Sequence, residues 1–185
     1  MTTDLKIDIY QEQERVKKEI VAQGLRVLVC TGTGCIANGS LKVIEKFKEL
    51  GVNVSALTDY DKMTIVPTGC HGFCEQGVLV IIPEKHTAYV KVKEEDVEEI
   101  YNSHIVGGKP VERLLYVDPL TNEHVHKSED INFYAKQVRT ALENCGHINA
   151  ECLDEAISVH AYEALFNILK ENNPDKVIEL SLIHI

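Results

Sequence analysis

At 185 residues the chain is long enough for one ordinary domain with an extension, or for two small domains. It is 44% hydrophobic and 26% charged, the composition of a globular chain with a buried core. A net charge of −10 argues against a nucleic-acid partner, and no apolar run approaches the roughly 20 residues that would insert the chain into a membrane. The first residues, MTTDLKIDIYQEQERVKKEI, are polar and charged and carry no apolar signal-peptide core. The expected location is the cytoplasm, including the face of a membrane complex. Disulfides are rare there, so six cysteines call for another explanation.

In chain order, residues 8–23 predict an amphipathic helix with Ile9, Val16 and Ile20 near one face and Gly24 as its stop. LRVLV (25–29) reads as a short buried strand. Asn38 is the expected cap of a helix through Leu50, with Leu41, Ile44 and Phe47 as its apolar face. VNVSAL (52–57) alternates like a half-buried strand, and TIV (64–66) starts another that Pro67 should halt. VLVII (78–82) and TAYVKV (87–92) form an expected hairpin joined by PEKH. Residues 94–105 predict a helix with Val97, Ile100, Tyr101 and His104 on one side, closed by Gly107 and Gly108. This order predicts an α/β fold, helices packed against a mixed sheet. The expected boundary lies near Tyr116. Beyond it the pattern is helical: one helix over 131–145, a second after an Asn149 cap, and a third with Tyr162, Leu165, Phe166 and Leu169 on one face. A fourth is expected to start at Asn173-Pro174. The expected parts are an N-terminal helix (1–24), a cysteine-bearing domain (25–115) and a helical extension (116–185).

Four cysteines form two pairs. Cys30 and Cys35 are spaced C-x4-C, 34 residues follow, and Cys70 and Cys74 are spaced C-x3-C. Both pairs lie in glycine-containing loops at expected strand ends, where two loops at one end of a sheet would bring four thiolates to one point. Structural zinc favours tighter C-x2-C knuckles. A dithiol redox site would use C-x-x-C, which is absent. A [2Fe–2S] cluster, in which each of two irons takes two thiolates, suits the wider loops better. Nearby glycines would let backbone N–H groups turn toward sulfur and favour the more negative reduced state. Buried thiols acting as small hydrophobes are the plainer alternative, and zinc remains the competing metal.

These motifs, together with VLVIIPE, EDVEEI and GGKPVERLLY, resemble the N-terminal part of the NADH-binding flavoprotein subunit of bacterial NADH-quinone oxidoreductases. The form in NAD(P)-reducing and electron-bifurcating iron hydrogenases is the most similar. The resemblance runs from about Arg26 to Leu180. It implies a thioredoxin-like [2Fe-2S] ferredoxin domain followed by a helical lead-in to a flavin domain. It assigns Cys30, Cys35, Cys70 and Cys74 as cluster ligands. It also implies partners: the other subunits of a multi-subunit NAD(P)H oxidoreductase or hydrogenase complex. Family members are NADH dehydrogenases, but no Gly-rich phosphate loop follows residue 108. FMN, NAD(H) and [4Fe–4S] sites are therefore expected only in a continuation of the parent subunit, and a truncated chain with a foreign end at Ser181–Ile185 is the expectation. Gly77-Val78 stands where the family commonly has Gly-Pro. The related alternatives are a stand-alone thioredoxin-like ferredoxin and the smaller diaphorase subunit of the same complexes. A zinc-clipped interaction module belongs to a different class.

Other residues have plainer expected roles. Cys145 and Cys152 should be packing, Cys145 beside Val138, Ala141 and Leu142. His71 should be solvated, with cluster tuning or proton transfer as its alternative. His124 and His126 should be turn residues, and EEDVEE (94–99) the wet side of a helix. Thr31, Thr33 and Thr68 could donate to sulfur or simply shape the loops.

Overall fold

The computed structural model describes residues 7–51, 58, 60 and 62–182. The expected strand 52–57 lies outside the described residues, as does the end of the chain after residue 182. The remainder divides into two compact units, one drawn from Met1–Ala22 and Glu151–Ile185, the other Gln23–Ala150. The boundary expected near Tyr116 thus falls inside the second unit.

In the second unit, β1 (Leu25–Cys30) is buried along almost its whole length, as befits a strand covered on both faces. The sheet order is β2-β1-β3-β4, with β2 as Met63–Thr68, β3 as Val80–Ile82 and β4 as Thr87–Tyr89. β1 and β2 run parallel, from Leu25 opposite Met63 to Cys30 opposite Thr68. β3 is antiparallel to β1, and β4 to β3, with Ile82 opposite Thr87 across the expected hairpin. Pro67 does not halt β2. It pairs with Val29, and β2 is an edge strand among the described residues, where the missing N–H can face away from the ladder.

Among the described residues between β1 and β2 are the helices α2 (Thr33–Ala37) and α3 (Ser40–Gly51). Asn38 caps the end of α2 instead of the start of α3, so the helix expected through Leu50 begins at Ser40, two residues later. Val43, Ile44 and Phe47 of α3 are buried, whereas Leu41 is exposed. Helix α4 begins at Val97–Glu99 and continues as wider π-type turns through Ile100–Val106. Val97, Ile100, Tyr101 and His104 are all buried, as the spacing predicts. Val97, Ile100 and Tyr101 join Val27 and Val29 in one core. Leu28, Val66, Ile81 and Ala88, in register across the four strands, form a separate patch of alternate residues.

The stretch after Tyr116 is not the helix expected. A two-stranded ribbon, β5 (Tyr116–Val117) with β6 (His124–Val125), comes first, and α5 is only Asn132–Ala135. Val138 is 97% exposed, so the 131–145 periodicity has no core to bury against. Ile131, by contrast, is buried in the main core. In the other unit, α1 (Ile9–Val21) is capped by Asp8, whose side chain accepts the Tyr10 N–H, and it buries Ile9, Gln13 and Val16. It packs with α6 (Leu153–Ser158) and α7 (Glu163–Glu171). Tyr10 meets Phe166 edge-on at 5.9 Å, and its hydroxyl donates to Asn167 at 3.1 Å. Helix α8 (Pro174–Leu182) follows. Of the expected apolar face of α7, Phe166 is packed against Tyr10, whereas Tyr162, Leu165 and Leu169 are exposed.

Candidate metal centre

Parallel pairing decides where the cysteines go. Strands that run the same way end at the same edge of the sheet, so the loops leaving Cys30 and Thr68 emerge side by side. Thr31 ties them together: its N–H and its hydroxyl both donate to the Thr68 carbonyl, at 3.0 and 2.8 Å. The Thr68 hydroxyl donates to Val29 O at 3.4 Å. Thr31 and Thr68 therefore shape the loops, and their hydroxyls do not point at sulfur.

The two loops interlock through glycine. A Cβ on Gly32 would lie 2.8 Å from Cys70 Cβ and 3.0 Å from its Sγ. A Cβ on Gly77 would lie 2.7 Å from Cys35 Sγ. Any side chain at either position would occupy space that the opposing cysteine needs. Cys70 Sγ and Cys74 Sγ are 3.8 Å apart, the separation of two sulfurs on one tetrahedral metal with bonds of about 2.3 Å. The Gly72 N–H donates to Cys70 Sγ at 3.3 Å. Cys30 and Cys35 are buried and Cys70 and Cys74 exposed, so the group reaches from the core to the surface. Among the described residues no set of three or more His, Cys, Asp or Glu side chains is placed to hold a single metal ion. The two loops meet at one end of the sheet as expected.

The thiols influence one another electrically. Cys30 is pulled down to about 6, chiefly by the hydrogen bond from the Cys35 thiol, with further help from the backbone of His71 and Gly32 and against the effect of burial. Cys35 is pushed strongly up by that same bond and by burial. At Cys70 the Gly72 N–H acts downward, but burial and the neighbouring Cys74 and Cys30 outweigh it and the net shift is upward. Burial and the neighbouring sulfurs thus disfavour charge on Cys35 and Cys70, an opposition that a bound cation would relieve.

The segment after β6 closes over the second loop. Phe133 stacks on Phe73 at 4.5 Å, and Tyr134 meets the same ring edge-on at 5.5 Å. Arg139 donates to the His71 carbonyl at 2.5 Å. His71 is buried rather than solvated, and its ring is lowered to about 4, mainly by burial, with His147 and Arg139 adding to the effect. Cys145 is half-buried, and its Sγ lies 3.9 Å from where a Gly69 Cβ would stand. It lines a cavity with Cys70 instead of sitting on a helix face. Cys152, also half-buried, precedes α6 in the other unit. His124 lies in β6, and the carbonyl of His126 accepts the Ala88 N–H at 2.7 Å. The acidic run is not wholly wet either: Asp96 is buried, accepting from Lys93 N–H at 2.9 Å and pairing with Arg113 at 2.7 Å. Nothing in the sequence pattern marks Tyr134 or Arg139. Only the fold brings them to the cysteine loops.

Residues 16–104 match the family described as thioredoxin-like [2Fe-2S] ferredoxin. A "Ferredoxin, 2Fe-2S" from Aquifex aeolicus is 38% identical over 81 residues, covering 44% of this chain and 71% of its own length. Its counterpart from Clostridium pasteurianum is 34% identical over 80 residues, 43% of this chain and 76% of the relative. This chain belongs to the thioredoxin-like [2Fe-2S] ferredoxin family. A solved thioredoxin-like [2Fe-2S] ferredoxin from Aquifex aeolicus aligns at 35% identity over 49% of this chain and 87% of its own, with a TM-score of 0.44. The residues present suit the ferredoxin cluster. Four thiols come from two interlocked loops, glycine leaves room beside two of them, and the Tyr134 hydroxyl is buried without a partner among the described residues. Among those residues no helix is long and apolar enough to cross a membrane.

Proposed function

We propose that the chain is an electron carrier whose Cys30, Cys35, Cys70 and Cys74 hold a [2Fe–2S] cluster, and that it works within a larger NAD(P)H-dependent oxidoreductase or hydrogenase. The observation that carries this reading is the in-register parallel pairing of Cys30 with Thr68, which sets the C-x4-C and C-x3-C loops against each other. When bound, such a cluster supplies one-electron exchange between ferric and ferrous iron. The chain's own contribution is to bind and to bias. Cys30 and Cys35 anchor the buried side. Cys70 and Cys74 keep the other side at the surface, where an electron partner can approach. The Gly72 N–H already aims at Cys70 sulfur and would help stabilise added negative charge there.

The multi-subunit setting rests on the resemblance, which extends through GGKPVERLL past the residues matched to the ferredoxin family. That segment is built into the fold: Val111 N–H donates to Tyr89 Oη at 3.0 Å, and Leu114 and Leu115 are buried. The deciding experiment is anaerobic purification followed by metal and sulfide analysis. The reading expects about two iron and two acid-labile sulfide per chain. Replacing Cys30, Cys35, Cys70 or Cys74 with Ser should remove most of the iron, and Cys145→Ser should keep it. Stoichiometric zinc without iron would overturn it.

A further inference from the structure

Tyr134 carries an unmet hydrogen-bonding demand. Its hydroxyl oxygen is buried, and no described residue donates to it or accepts from it. A buried phenol without a partner is costly, so the position suggests a partner that the polypeptide does not supply. Its surroundings say where that partner lies. The ring packs edge-on against Phe73, the residue before Cys74. The Arg139 guanidinium sits over the same ring, 4.9 Å from its centre, while donating to the carbonyl of His71, the residue after Cys70. Tyr134 is therefore clamped between the two ends of the Cys70–Cys74 loop. Burial chiefly opposes ionisation of its hydroxyl, and the thiols of Cys30, Cys70 and Cys35 act in the same direction.

We propose that the Tyr134 hydroxyl donates a hydrogen bond to sulfur of the bound [2Fe–2S] centre and that Arg139 is the positioning residue that holds it there. This rests on the cluster reading above. Both residues lie beyond residues 16–104, the stretch matched to the ferredoxin family, so the extension would complete the site. An O–H donor stabilises the reduced, more negative state of the centre over the oxidised one, and the fixed positive charge of Arg139 acts in the same direction. Both groups raise the reduction potential.

The test is the potential of the full-length loaded protein, followed by dye-mediated titration with dithionite. Tyr134→Phe removes only the hydroxyl. It should leave iron and sulfide content unchanged and make the centre harder to reduce, by on the order of tenfold in the one-electron equilibrium constant, or about 59 mV. Arg139→Gln should lower the potential as well, but by less in the Tyr134→Phe background than in the wild type, because part of its effect passes through the phenol. Incorporating 3-fluorotyrosine at position 134 keeps the packing and strengthens the donor, so it should raise the potential even if the Phe variant fails to load. A loaded Tyr134→Phe protein within twofold of the wild type, or a fluorotyrosine protein unchanged or harder to reduce, overturns the proposal. A wild-type protein without iron would instead defeat the cluster reading itself.

Discussion

Gly32 and Gly77 show how much of the site is decided by single atoms. An added Cβ at Gly32 meets Cys70, and one at Gly77 meets Cys35 Sγ, both closer than atoms normally pack. Gly34 is the contrast: its added Cβ would sit 3.7 Å from Cys74 Cβ and 3.8 Å from its Sγ, which is ordinary contact. Gly32→Ala and Gly77→Ala should therefore destabilise the loops by about 1–3 kcal/mol and lower iron retention, while Gly34→Ala retains iron near the wild-type level. Iron per chain after desalting, with melting temperatures alongside, checks all three. The cysteine spacing and the glycines around it were readable as letters. The specific collisions were not, because they depend on which cysteine faces which glycine across two loops 34 residues apart in sequence. The same holds for His71, whose burial comes from distant residues: a Cβ on Gly146 would collide with its ring.

At the scale of elements, the central strand and the α4 face were legible because their apolar periodicity is strong and their partners are near. Val97, Ile100, Tyr101 and His104 follow helical spacing and are buried together. The 131–145 stretch has comparable letters but forms one short turn of helix, since Val138 and Leu142 find nothing to pack against and stay exposed. Tertiary packing, more than local pattern, decides whether an amphipathic run becomes a helix. Helix α4 also contains a testable polar contact. Tyr89 Oη accepts the Val111 N–H at 3.0 Å and lies 2.7 Å from His104 Nδ1, so the phenol donates to a neutral imidazole. Burial lowers His104 to about 4, with Lys85 and His126 adding to the effect. The unfolded chain binds this proton more readily, with an ordinary value near 6.5. The stabilising effect is therefore complete above about pH 6.5 and is lost as pH falls toward 4, by about 1–3 kcal/mol. Melting temperatures from pH 7 to 4.5 should fall more steeply for the wild type than for His104→Asn. Parallel slopes would contradict this assignment.

For the whole molecule, the described residues separate a cysteine-bearing unit, Gln23–Ala150, from a helical unit drawn from both chain ends. The helical pattern gives way to LRVLV at Gly24, and the described residues divide between Ala22 and Gln23. The division after Ala150 was not visible in sequence, because Ile131 and the ribbon that follows Tyr116 belong to the ferredoxin core through packing, without a compositional signal. A fragment spanning 23–150 should fold and retain iron. One ending at residue 115 should lose most of its stability, since it gives up buried Ile131, the His126 carbonyl that pairs with Ala88 N–H, and the Phe133 stack on Phe73. Proteolysis resistance and iron content of the two fragments distinguish these outcomes. The central claim, that two strand-end loops hold a one-electron centre, is tested most directly by a coulometric titration of the anaerobically purified full-length chain, with electron paramagnetic resonance at each step. The account predicts uptake of one electron per chain, with a signal that appears on reduction and integrates to one spin. Uptake of no electrons, or of two together as at a dithiol–disulfide couple, would contradict it.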